Sequence, residues 1–122
     1  MAVTLPIALG CSCSEPPPLE ESIANTPYIF VGTVEHITAR ESNELISSTS
    51  VEDALKGDVA DMVSVATAFT SAGCKYNFIQ GQKYIVFAYT TQEGGFATNS
   101  CMATSGYSEN VHLIIQLILA GD

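Results

Sequence analysis

The chain has 122 residues, enough for one domain with one core. Hydrophobic residues make up 47% of it and charged residues 14%, a globular balance and not a disordered one. With 13 acidic and 4 basic side chains the net charge is −9, and Arg40, Lys56, Lys75 and Lys83 are scattered. No cationic patch for nucleic acid or for an anionic membrane surface can be assembled from them.

The opening residues 1–10, MAVTLPIALG, are uncharged and mostly apolar. Ala8 and Gly10 stand third and first before Cys11, as small residues do ahead of a signal-peptidase cut. Residues 1–10 are therefore expected to be the end of an export signal, although its basic start and longer apolar stretch are not in this sequence. The alternatives are an apolar N-terminal strand and a lipoprotein signal with a lipidated Cys11, to which Ala8 is poorly suited. No other segment approaches the roughly 18 apolar residues of a membrane span. The expected location is outside the cytoplasm: secreted, periplasmic or at the cell surface.

Cys11, Cys13, Cys74 and Cys101 fit that compartment, because disulfides persist where the surroundings oxidise. Four cysteines allow three pairings. Cys11 and Cys13 are too close in an extended chain to pair comfortably with each other. Residues two apart on a strand share a face, so both sulfurs point one way and Ser12 the other. That arrangement suits one staple from each to the distant Cys74 and Cys101, in an order left open. A four-thiolate zinc site is the competing reading, but such sites usually show two C-x2-C pairs and this chain has none.

Pro16, Pro17 and Pro18 should hold the chain extended before a short helix over Leu19–Ala24, acidic in its first turn and ended by Pro27. Residues 28–38, YIFVGTVEHIT, read as a strand with a bend or bulge at Gly32. Polar residues 39–44 form a connection, and Ile46–Leu55 is a second strand ending in the turn Lys56-Gly57-Asp58. Met62–Thr70 alternates like a strand with one buried face, and Gln82–Thr91 with Gly95–Ser100 reads as a hairpin. From Ser108 onward the chain reads as a helix capped by Ser108 and stopped at Gly121. Its apolar residues lie nearly all round, which suits a helix packed deep against the sheet better than one reserved for a partner. The pattern is mainly β: a small Greek-key barrel of the oligonucleotide/oligosaccharide-binding (OB) type with a short N-terminal and a C-terminal helix, a sandwich being the alternative.

Catalytic patterns are missing. His36 and His112 have no second ligand or carboxylate at coordinating spacing, and no G-x-S-x-G, P-loop, dinucleotide or H-E-x-x-H motif occurs. The pairs Glu20/Glu21 and Glu52/Asp53 are sequence neighbours whose side chains diverge. An enzyme is not expected, and neither is a cofactor.

The runs CSCSEPPP, YIFVGTV, VEDALKG, SAGCKYNFIQGQKYIVFAYT and ATNSCMAT together resemble the netrin-like domain. More narrowly they resemble the inhibitory domain of the tissue inhibitors of metalloproteinases, over most of residues 11–104. The resemblance implies residues 11–122 as an OB-fold domain, stapled by Cys11–Cys74 and Cys13–Cys101. It further implies that the main-chain nitrogen and oxygen of a processed Cys11 chelate the zinc of a partner metalloproteinase. An α-amine of reference pKa about 8 surrenders its proton readily near neutrality, and an open zinc site holds a displaceable water. Ser12 would enter the specificity pocket, and Cys13, Ser14 and the segment Ser71, Ala72, Gly73, Cys74 would complete the inhibitory ridge. Three features depart from that family: one disulfide lacks its cysteines, the cysteine-rich second domain is absent, and the first long connection is short. Residues 1–10 also leave Cys11 with an amide in place of an amine. A monomer is expected. The alternative function is a secreted or lipid-anchored netrin-like binding module without protease inhibition.

Overall fold

A computed structural model describes residues 13, 17–40, 44–68, 73–92, 94–108 and 110–120. The expected leader 1–10 and the helix stop at Gly121 lie outside them. In chain order the elements are α1 (Leu19–Asn25), β1 (Tyr28–Arg40), β2 (Glu44–Lys56), β3 (Met62–Ala68), β4 (Lys83–Thr90), β5 (Phe96–Ala97), β6 (Ser105–Gly106) and α2 (Asn110–Ala120).

The strands run β1-β2-β3-β5-β4, and a further β1–β4 pairing closes the ring into a five-stranded barrel. All neighbours are antiparallel except β3 and β5, which are parallel. A meander whose fourth and fifth strands cross over in this way is the Greek-key order of a small OB-like barrel. β6 adds to the edge of β4 at Tyr84 and Ile85, while β5 takes the same strand at Tyr89 and Thr90.

β1 must serve two neighbours and curve between them. Its register with β2 shifts at Ile29/Phe30, Val31/Gly32 and Val34/His36, so the expected bend at Gly32 is present. A Cβ there would lie 2.7 Å from Thr49 Cγ2 and 2.8 Å from the Ser50 carbonyl oxygen, so only glycine lets β2 approach this closely.

The residues read as a connection between β1 and β2 are partly strand. Arg40 pairs with Glu44 and Ala39 with Leu45, so the ladder between the two long antiparallel strands continues through these residues, and β3 pairs with the same end of β2 at Ala68 and Thr67. β5 departs in the other direction and stops at Ala97. The Asn99 side chain accepts from the Cys101 N–H (2.9 Å) and its carbonyl from the Met102 N–H (3.2 Å), turning the backbone out of the ladder.

The core has two layers. Phe30, Val34, Val65, Tyr84, Val86, Ala88 and Phe96 fill the barrel. Ile29, Val31, Ile85 and Phe87 point outward from the same strands and pack with Ile23 of α1 and with Val111 and Ile114 of α2. β1 and β4 are thus buried on both faces, which is why YIFV and YIVFA are unbroken apolar runs. α2 is less deeply set than its composition suggests. Val111 and Ile114 are buried, but Leu113 and Leu119 are 49% and 68% exposed, since an 11-residue helix on a barrel wall can cover only one side. No helix among the described residues is long and apolar enough to cross a membrane.

Candidate functional site

The site gathers where Cys13 and Cys74 meet Cys101 of the loop after β5. Cys13 is joined to Cys101 by a disulfide with a Cα–Cα separation of 5.5 Å, closing a sequence gap of 88 residues. Cys74 is also disulfide-bonded. Its expected partner Cys11 lies outside the described residues, as do Ser12, Ser14, Ser71 and Ala72. Of the expected ridge the structure therefore places Cys13, Gly73 and Cys74, and it brings them together.

Two contacts hold Cys74 beside Cys101. The Ser100 N–H donates to the Cys74 carbonyl oxygen at 3.0 Å, and the Sγ atoms of Cys74 and Cys101 are 3.8 Å apart. Disulfide sulfurs carry no proton, so the sulfur contact is packing between two adjacent bridges. Cys74 has φ 67°, the left-handed region that costs a β-carbon residue free energy unless its surroundings impose it. One residue beyond Lys75, the Tyr76 N–H donates to Thr67 Oγ1 at 2.8 Å, which fixes the segment to the end of β3.

The Cys101 loop is clamped at its base. Phe87 of β4 turns its N–H and C=O toward the gap between β6 and β5, where no strand meets them. Thr104 Oγ1 accepts from the Phe87 N–H at 2.8 Å, Thr98 Oγ1 donates to the Phe87 carbonyl at 2.8 Å, and the two hydroxyls bond each other at 2.8 Å. All three residues are buried. The two threonines thus close a hole in the sheet and hold both ends of residues 99–103, which carry Cys101.

Next to Gly73 lies a hollow of about 240 Å³, lined in part by Glu44, Thr67, Tyr89, Thr98 and Asn99. Tyr89 is 43% exposed there. These residues escaped sequence reasoning, because only the parallel β3–β5 pairing brings the end of β4 beside the loop after β3. The available signal was Tyr89 itself, an aromatic residue at the end of a strand beside polar Thr90 and Thr91.

Tyr76, Phe78 and Tyr84 form a cluster with ring centroids 4.8–5.9 Å apart. The Ile79 N–H donates to the Tyr84 hydroxyl at 2.8 Å. Burial, with a smaller contribution from neighbouring Tyr84, pushes the Tyr76 hydroxyl above its ordinary pKa. His36, His112, Glu20, Glu21, Glu52 and Asp53 are all exposed. Glu52 accepts from Lys83 at 2.9 Å, and the Lys83 ammonium sits 4.8 Å from the centre of the Tyr107 ring. Glu52 raises the Lys83 pKa, chiefly through that hydrogen bond. Among the described residues no three His, Cys, Asp or Glu side chains converge to hold a metal.

Compared with known proteins, the chain matches no family model, and no curated protein matches it significantly.

Proposed function

We propose that this chain is an exported inhibitor of zinc metalloproteinases, similar in plan to the inhibitory domain of the tissue inhibitors of metalloproteinases. The observation that carries this reading is the tethering of the C-x-C segment through Cys13 to Cys101, directly beside Gly73 and Cys74, at one edge of a closed OB-like barrel. Two chain segments far apart in sequence are thereby presented side by side on a rigid base.

In this proposal residues 1–10 are removed and Cys11 becomes the terminus. Its α-amine and carbonyl oxygen replace the water on the partner's zinc, and Ser12 enters the adjoining pocket. The second segment, Ser71 to Cys74, widens the contact, with Tyr89 and Asn99 beside it. The bridges order the ridge before binding, so little conformational freedom is lost on association. The chain itself performs no turnover and needs no cofactor. It acts as a monomer.

The test is a titration of three forms against a panel of zinc proteases: the chain starting at Cys11, the same chain acetylated on its α-amine, and the full 122-residue chain. Inhibition by the first alone is expected, with acetylation weakening it by several kcal/mol, because an acylated nitrogen is a poor metal ligand. Equal potency of all three would remove Cys11 from the mechanism. No inhibition by the processed chain across the panel would favour a binding module in which C-x-C is only an anchor.

A further inference from the structure

A cavity of about 630 Å³ opens between α1, the end of β2 and the last turn of α2. Its size falls within the range of small-molecule sites. Ile23, Leu55, Leu117 and Ile118 supply most of its apolar wall, and all four belong to the outer core layer or pack against it. Ile23 is buried, but Leu55, Leu117 and Ile118 are only half-buried, so part of this wall stays open to solvent. The two helices are short, and between them they cover the barrel wall incompletely.

Two ionisable side chains border the cavity, Lys56 and Glu20. They stand at different ends of α1. Glu20 lies in its first turn, whereas Lys56 Nζ donates to the carbonyls of Ile23 (2.6 Å) and Ala24 (3.2 Å) in its last. An ammonium has three N–H groups, so these two bonds leave one more to give. Among the described residues no carboxylate pairs with Lys56. The cavity thus has a single cationic end in a mainly apolar lining. Its chemical complement is an amphiphile with an anionic head and a slender apolar tail.

We propose that this cavity binds a free medium-chain fatty acid, with the carboxylate on Lys56 and the alkyl chain along Leu55, Leu117 and Ile118. The ammonium stands for the head against the negative end of α1, which would otherwise repel an anion. Glu20 opposes the reversed orientation, in which the carboxylate would lie toward the first turn. Each methylene covered by the leucine and isoleucine side chains leaves water, so affinity grows with chain length. The site is independent of the C-x-C segment and holds whether or not the chain inhibits a protease.

The experiment titrates decanoate into the isotopically labelled 122-residue chain and follows the backbone amides by NMR. Saturable shifts are expected at Leu55, Lys56, Leu117 and Ile118. Octanoate should bind about tenfold more weakly, because two methylenes are lost. Lys56→Met should weaken decanoate about tenfold and leave decanol unchanged, while Lys56→Arg should keep the preference for the acid. Shifts that do not saturate, shifts centred on other residues, or equal binding of octanoate and decanoate would overturn the proposal. So would a Lys56→Met variant that loses acid and alcohol alike. Where that variant does not fold, the wild-type preference for decanoate over decanol decides, and its absence counts equally against the site. Sedimentation of the chain without ligand supplies a further check. A dimer that decanoate dissociates would assign the cavity to a second copy of the chain, and phosphatidylcholine vesicles that displace decanoate would assign it to a membrane surface. Either result would refute a free fatty acid as the occupant.

Discussion

Thr104 and Thr98 do at Phe87 what a strand does elsewhere along β4. Replacing Thr104 with Val keeps the shape but leaves the buried Phe87 N–H without its acceptor, so a loss of about 1–3 kcal/mol is expected. Urea unfolding would measure it, and Thr104→Ser should restore most of the difference. A second residue-scale prediction follows from Tyr76. Its folded pKa lies above the ordinary 10.0, so the folded state holds the proton more tightly than the unfolded chain. The stability this contributes is fully present below pH 10 and is lost as pH rises through the higher folded value. The urea midpoint should therefore drop as the pH rises above about 10, and Tyr76→Phe should flatten that drop. An unchanged slope in the variant would assign the alkaline loss to other groups. Neither role was legible in the sequence. A threonine's value to Phe87 depends on partners 11 and 17 residues away, and periodicity reports only which face is apolar.

Among the elements, α1 depends on a residue it does not contain. The Lys56 ammonium donates to the carbonyls of Ile23 (2.6 Å) and Ala24 (3.2 Å), and Thr26 closes the end with its hydroxyl on Ser22 O at 2.6 Å. A cation at a helix C-terminus meets both unpaired carbonyls and the negative end of the dipole. Lys56→Met, which keeps the stem, should cost about 1 kcal/mol by chemical unfolding, and Lys56→Arg distinctly less. In β1, Gly32→Ala should cost about 2–3 kcal/mol, since the new methyl meets the Ser50 carbonyl, a backbone atom that cannot swing aside. Near-wild-type stability would show that β2 can move away. Element types were readable because β-branched and aromatic runs, Gly32 and the Lys56-Gly57-Asp58 turn are local signals, and Gly57 does take a positive φ of 82°. Element ends were not. The tip of β1 is held by β2, whose own tip is held by β3 as well, and β6 is two residues paired to the edge of β4 at Tyr84 and Ile85.

At the scale of the whole molecule, the two core layers share the same strands back to back. Phe30 lies inside the barrel and Phe87 outside it under the helices, and both are fully buried. Truncating either to Ala should remove about 3–5 kcal/mol, a large share of the stability of a domain this size. The two losses should differ in place. Hydrogen exchange should quicken across α1 and α2 in Phe87→Ala, and across β3 and β5 in Phe30→Ala. Identical exchange patterns in the two variants would show that the layers unfold as one unit. The barrel was inferable from strand number and the Gly32 bend, yet the second layer was not, because an apolar run says that both faces are covered without saying by what. The candidate site was half legible for a similar reason. C-x-C announces itself in the sequence, whereas its neighbours Tyr89 and Asn99 arrive only when the chain has closed.

Closure itself sets the order of assembly. Tyr28 meets Ala88 and Thr33 meets Lys83, so the seam joins strands about 50–60 residues apart, while the β1-β2-β3 meander needs only local turns. The meander is therefore the natural early structure, and the seam the late one. Until it forms, β1 waits with an open edge and β4 remains a free run of YIVFAY, uncharged and rich in aromatic and β-branched residues. Such a segment pairs readily with its own copy in another chain. Reduced protein refolded at rising concentration should lose yield to β-rich aggregates, and a charged substitution at exposed Tyr89 should recover soluble material without slowing the meander.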